Sequence, residues 1–194
     1  VIGELELAYL LKPDVVDLYA ISGTNGKTTT VSLLQAILAA DGRRALAGGN
    51  IGIPLTTLVD SMTGGVIVVE ASSFQLETTY HFRPHISALI NITPDHLDRH
   101  KSMEGYIKAK ARIFACQNRD DYTVLNYEDM HIRKMAQECP ARVIYFSSRQ
   151  VLPEGAFIKD DLIYFVMDNK VLPICPVHEV SLRGQHNLEN ILCA

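Results

Sequence analysis

Apolar and polar positions along the chain alternate between two rhythms. Residues 15–21, VVDLYAI, are rich in β-formers and predict a strand. Residues 28–40, TTTVSLLQAILAA, put Val31, Leu34, Ile37 and Leu38 on one helical face, and Asp41-Gly42 ends the run. RRALA (43–47), VIVVE (66–70) and ISALINI (86–92) predict further strands. The last two are continuous apolar runs, which suit a parallel sheet covered on both faces. Helices are expected over 102–117 and 128–139, and strands over 122–126 and 141–147. Such repeated strand–helix units imply an α/β fold: a mostly parallel sheet flanked by helices, with right-handed crossovers. Past residue 150 the rhythm changes. Turn signals at Asp160-Asp161 and Asp168-Asn169 separate short β-rich runs, predicting a small antiparallel β meander near residues 150–182.

Composition narrows the class without naming a function. Of the 194 residues, 47% are hydrophobic and 21% charged, ordinary for a globular domain. A net charge of -4 points to neither a nucleic-acid nor a membrane surface, so neither partner is expected. The cysteines, at 116, 139, 175 and 193, form no CxxC pair and read as reduced thiols of a cytoplasmic protein. The chain opens on VIGELELAYLL without a Met and closes on GQHNLENILCA, where Leu188, Ile191 and Leu192 keep helical spacing. A domain taken from a longer protein is therefore expected.

The stretch AISGTNGKTTT, residues 20–30, carries the first chemistry. The usual phosphate loop, G-x-x-x-x-G-K-[ST], would have its first glycine at position 21, which is Ile21; Gly23 stands closer to Gly26 instead. A buried strand before the loop and a helix after it still provide what phosphate needs: free N–H groups and a partial positive charge at a helix N-terminus. On this reading Gly23, Thr24, Asn25, Gly26, Lys27, Thr28 and Thr29 bind the nucleotide phosphates, with Lys27 on the β- and γ-phosphates and Thr28 on Mg²⁺. The plainer alternative is a helix capped by Thr24 or Asn25.

Ligands of open parallel sheets bind at the carboxyl ends of the strands. Those ends carry Asn50 in GGNIG, Glu70 followed by Ser72, and Asp95 and His96 in TPDHLDRH. Singly, Glu70 reads as a strand-end acid, Asn50 as a turn residue and His96 as a loop histidine. Together with the loop, Glu70 stands where an Mg²⁺-coordinating acid belongs. By periodicity Lys110 is one more polar residue on the outer face of an amphipathic helix.

The motifs GTNGKTT, GGNIG, EASSFQLE, NITPDHLDRH, YIKAKARIF and LRGQHN, in this order, resemble the Mur ligases, ATP-dependent amide-forming enzymes of peptidoglycan synthesis. The resemblance runs through the whole chain. SSFQLE and TPDHLDRH look most like the branch that joins D-glutamate to UDP-N-acetylmuramoyl-L-alanine. Another Mur ligase, a folylpolyglutamate synthase-like amide ligase, and a non-catalytic P-loop module are the alternatives. The resemblance implies a central ATPase domain over 13–194, with 1–12 as the hinge from a UDP-binding domain, and an amino-acid-binding domain beyond. A monomer is expected, inactive as this fragment alone.

The resemblance also implies roles. A substrate carboxylate takes the γ-phosphoryl group of ATP, and the amine of D-glutamate then displaces phosphate from the acyl phosphate. Thr28 and Glu70 would hold one Mg²⁺, and His96 would help hold a second. Lys110 would be carbamylated by CO₂, turning a cation into an anionic Mg²⁺ ligand. Asn50 and Ser72 would meet the muramoyl substrate. Asn187 and Asn190 would meet adenine. Lys27, His96 and Lys110 are the catalytic candidates.

Overall fold

A computed structural model describes residues 1–194. The order along the chain is α1 (Glu4–Leu11), β1 (Val16–Ser22), α2 (Lys27–Ala40), β2 (Ala45–Gly49), α3 (Leu55–Ser61), β3 (Gly65–Glu70), α4 (Ser73–Leu76), β4 (Ile86–Leu89), α5 (Leu97–His100) and α6 (Met103–Ala111). There follow β5 (Tyr122–Asn126), α7 (Met130–Met135), β6 (Arg142–Ser147), β7 (Gly155–Lys159), β8 (Leu162–Met167), β9 (Lys170–Pro176) and α8 (Gln185–Cys193).

One sheet takes every strand, in the order β2-β3-β1-β4-β5-β6-β7-β8-β9. It is parallel from β2 to β7 and antiparallel through β8 and β9. The meander forms as expected, but it extends the main sheet through β7 on β6 and is not a separate layer. Its turns hold Asp160, Asp161, Asp168 and Asn169 at φ between 50° and 62°, the left-handed pair that two-residue hairpins need.

Strand alternation sends successive side chains to opposite cores. Leu18 and Ala20 of β1, with Ile67 and Val69 of β3, pack under α1, α3 and α6. Tyr19 and Ile21, with Val66 and Val68, pack under α2 and α8. The stretch expected as a hinge folds as α1, with Leu5 and Ala8 in the first core. Its buried Glu6 accepts the N–H groups of Tyr80, His81 and Phe82. Burial would push this carboxyl up, but those bonds and His81 outweigh it and hold the pKa below the usual range.

Some boundaries differ from expectation, each for a local reason. Strand 86–92 ends at Leu89; beyond it backbone bonds to Ser22 and Thr24 alternate with side-chain partners, as Asn126 Nδ2 donates to Ile90 O at 2.9 Å and Asp129 Oδ2 accepts Ile92 N–H at 2.6 Å. The helix expected to reach 117 stops at Ala111, where the bonding tightens to i→i−3 turns through Ala115.

Candidate functional site

The register brings the strand ends together. Glu70 lies beside Ile21 of β1 on one side and Gly49 of β2 on the other. β1 is flanked by β3 and β4, and the chain order reverses there, the crevice in which open α/β sheets bind ligands.

The loop between β1 and α2 is held rigidly. Asn91, just past β4, accepts Asn25 N–H at 2.8 Å and donates to Asn25 O at 3.0 Å; its own carbonyl accepts Thr24 N–H at 2.9 Å. Thr24 Oγ1 lies 3.1 Å from the Tyr106 hydroxyl and accepts Thr93 N–H at 3.0 Å. Gly26 caps α2 at φ 85°, and any Cβ there would collide with Asn190 Oδ1 of α8. Glycine is therefore required twice over, by conformation and by space. Thr29, half-buried in the first turn of α2, lies beside Thr28.

Around this loop the structure brings together Glu70, Asn50 and Asn190, while Ser72 and His96 make their polar contacts within their own segments. Glu70, 2% exposed, accepts from Thr28 Oγ1 at 2.8 Å and from Asn50 Nδ2 at 2.9 Å. Lys27 Nζ folds back onto Gly23 O at 3.0 Å and Thr24 O at 2.8 Å. Asn190 is buried, and its Nδ2 donates to Asn187 Oδ1 at 3.3 Å; Asn187 Nδ2 donates to Arg183 O. Ser72 forms a capping box with Gln75 at the start of α4. His96 is half-exposed at φ 51°, with its Nε2 3.5 Å from Asp95 Oδ2.

Lys110 overturns the periodicity reading. It is 2% exposed, not on the surface. Its Nζ donates to Gly23 O at 2.8 Å and Ser22 Oγ at 3.2 Å, and stands 4.9 Å over the Tyr106 ring. Helical spacing could not reveal this, because the loop after β1 supplies a polar nook on an otherwise apolar face. Burial, then the nearby charge of Lys27, lowers its pKa to about 7.

The donor set suits Mg²⁺. No three His, Cys, Asp or Glu side chains converge into a ready-made cage. Mg²⁺ does not need one: it keeps waters and takes few protein oxygens together with phosphate. Thr28 and Glu70 offer such oxygens side by side. Lys110 as an ammonium does not suit a cation; as a carbamate it would. The largest apolar hollow, about 580 Å³, lies elsewhere, between α2, α8 and the β8–β9 hairpin, and carries none of this chemistry.

Sequence reasoning passed over Asn91, Tyr106 and Ser22. Asn91 had a signal: a lone amide inside the apolar run ISALINI.

A family model for the Mur ligase middle domain matches residues 21–194. The chain belongs to the Mur ligase middle-domain family. It is 47% identical over 194 residues to a UDP-N-acetylmuramoylalanine–D-glutamate ligase of Thermoanaerobacter pseudethanolicus, and 48% identical over 198 to the protein of that name from Acidobacterium capsulatum. All of this chain is covered in both cases, against 42% of each relative, so the chain spans under half their length. Among solved structures, a UDP-N-acetylmuramoyl-L-alanyl-D-glutamate–2,6-diaminopimelate ligase superposes with TM-score 0.73 at 25% identity, over 97% of this chain and 44% of that one. MurF ligase from Thermotoga maritima, solved in complex with ADP, shares the fold with TM-score 0.67 at 17% identity, over 98% and 47% of the two chains. The α/β architecture expected from the apolar rhythm is the one these Mur ligase domains have.

Proposed function

We propose that the intact protein joins D-glutamate to UDP-N-acetylmuramoyl-L-alanine at the expense of ATP, in the cytoplasm and as a monomer, and that residues 13–194 form its ATPase domain, entered through residues 1–12. The amino-acid choice rests on the names of the relatives. The chemistry rests on one observation: a buried lysine whose Nζ donates to the Gly23 carbonyl of the phosphate loop at 2.8 Å, beside Lys27.

The loop N–H groups and the N-terminus of α2 receive the β- and γ-phosphates. Lys27 exchanges its loop carbonyls for the γ-phosphate, where it offsets the repulsion between two anions. A carboxylate oxygen of the L-alanyl group attacks the γ-phosphorus, the bond to the β-bridging oxygen breaks, and ADP and an acyl phosphate result. The neutral amine of D-glutamate then adds to the acyl carbon, phosphate departs, and the amine proton goes to solvent. Thr28 and Glu70 would hold one Mg²⁺, and His96 and carbamylated Lys110 a second, which would supply further neutralisation of phosphate charge. Asn50 both steadies Glu70 and meets the muramoyl substrate, with Ser72 nearby; Asn187 and Asn190 meet adenine.

Lys110 acts as a ligand after carbamylation. Its neutral nitrogen attacks CO₂, an N–C bond forms, and a proton leaves to give an N-carboxylate. A lowered pKa makes that nitrogen available.

The test is ADP release by the intact protein with ATP, Mg²⁺ and UDP-N-acetylmuramoyl-L-alanine. Release is expected with D-glutamate and not with L-alanine or diaminopimelate. Release driven by another amino acid would replace this reading with another ligase; no release with any would leave a nucleotide-binding module.

A further inference from the structure

The segment that carries Asp95 and His96 to the crevice is almost wholly exposed. Of residues 93–102, His100 alone is buried. Its ring meets polar groups at both ends: Nε2 is hydrogen-bonded to Ser73 Oγ at 2.9 Å, and Nδ1 lies 3.0 Å from Glu77 Oε1, close but out of line for a hydrogen bond. Ser–His–Glu in this order is also that of a nucleophile and its base, but Ser73 is 3% exposed and out of reach of any substrate. The trio instead fastens α5 to α4.

The same ring sits at the middle of a line of side chains. His100 stacks on Phe74, with centroids 5.4 Å apart and planes 14° apart, and Phe74 lies 4.9 Å from His96. On the other side Tyr106 lies 5.1 Å from His100, and Lys110 Nζ stands 4.9 Å over Tyr106. Contacts thus run unbroken from His96 through Phe74, His100 and Tyr106 to Lys110. The backbone adds a direct tie, since His100 N–H donates to His96 O at 3.0 Å and closes the single turn of α5. His96 sits at φ 51°, which a residue with a Cβ holds only when its surroundings enforce it.

We propose that His100 is a positioning residue that sets where His96 stands relative to Lys110, by anchoring α5 to α4 and α6 from beneath. It touches neither nucleotide nor substrate. The proposal deepens the ligase reading and rests on it for the kinetic arm of its test alone.

The first arm needs no ligand. In the intact protein, the Phe74 ring current shifts the His96 ring protons upfield, with the His96→Gln variant giving the assignment. His100→Ala moves the His96 signals to the positions of a free histidine. His100→Phe keeps the rings and loses the polar contacts to Ser73 and Glu77, and restores part of the shift. The second arm is kinetic. His100→Ala raises the Mg²⁺ concentration for half-maximal rate about tenfold, the usual loss when a partner that orients a metal ligand is removed. The KM for ATP at saturating Mg²⁺ stays as in the wild type, because Lys27 and Thr28 reach phosphate without passing through His100. Should His100→Ala fail to fold, Ser73→Ala carries the test, with a smaller change in the same two readings. His96 signals and Mg²⁺ requirement both unchanged in the folded variants would overturn the proposal. A wild type without D-glutamate-dependent turnover would sink the ligase reading and leave the first arm standing.

Discussion

Lys27 and Lys110 share one acceptor, the carbonyl oxygen of Gly23, at 3.0 and 2.8 Å. Two ammonium groups so close repel, and only Lys110 is buried. Burial, and then the charge of Lys27, lowers the pKa of Lys110 to about 7. The charge of Lys27 thus adds to what burial does to Lys110.

That asymmetry makes stability depend on pH. The unfolded chain keeps the Lys110 proton up to about pH 10.5, the folded one only up to about 7. Between those values the unfolded state binds more protons, so raising the pH stabilises the fold, and lowering it towards 7 removes that gain. The slope is at most about 1.4 kcal/mol per pH unit. Chemical denaturation of the protein and of Lys110→Met from pH 7 to 10 measures it: the protein should gain stability steadily relative to the variant with rising pH. Parallel curves would mean Lys110 does not lose its proton in this range.

Removing the Lys27 charge acts on both functions of the loop. Lys27→Ala loses a charge-assisted contact to phosphate worth about 1.5–3 kcal/mol, about a 10- to 100-fold fall in nucleotide affinity. It also relieves Lys110 of its neighbour, so the pKa of Lys110 rises. Calorimetry reads the first effect and the pH dependence of stability the second. An unchanged affinity would show that Lys27 does not meet phosphate.

Gly26 joins the phosphate loop to α8, the helix that carries the adenine candidates. Gly26→Ala forces a side chain into a left-handed position and against Asn190. A loss of about 1–3 kcal/mol is expected from the conformation alone. Asn190→Ala in the same chain relieves the collision but not the conformation, so the double variant should recover part of the loss. Thermal unfolding of the variants decides this, and full recovery would assign the whole effect to crowding.

Much of this site was legible before any coordinates. The strand–loop–helix around GTNGKTT, Glu70 after its apolar run and the meander turns all follow from local rules, since phosphate loops, strand ends and two-residue hairpins are decided by nearby residues. What local rules missed depends on distant ones. Lys110 is buried because Ser22 and Gly23, far back in the sequence, offer it oxygen partners. Asn91 looks like one polar slip in a strand until the loop it ties down is seen beside it. Helical periodicity describes a face, and a face can turn towards a polar nook as easily as towards water.

Carbamylation of Lys110, as proposed, would depend on pH. CO₂ reacts with the neutral amine only, so at a fixed CO₂ concentration the modification fades as pH falls through about 7 and Lys110 takes its proton. With ¹³C-labelled bicarbonate, the intact protein should show one carbamate carbon resonance that Lys110→Met lacks. Ligase turnover should fall in step with that resonance on acidification. It should also fall when CO₂ is stripped from the buffer at neutral pH, and return when bicarbonate is restored. Turnover indifferent to CO₂, with no Lys110-dependent resonance in the presence of ATP and Mg²⁺, would assign Lys110 a different role: a neutral hydrogen-bond donor that braces the Gly23 carbonyl.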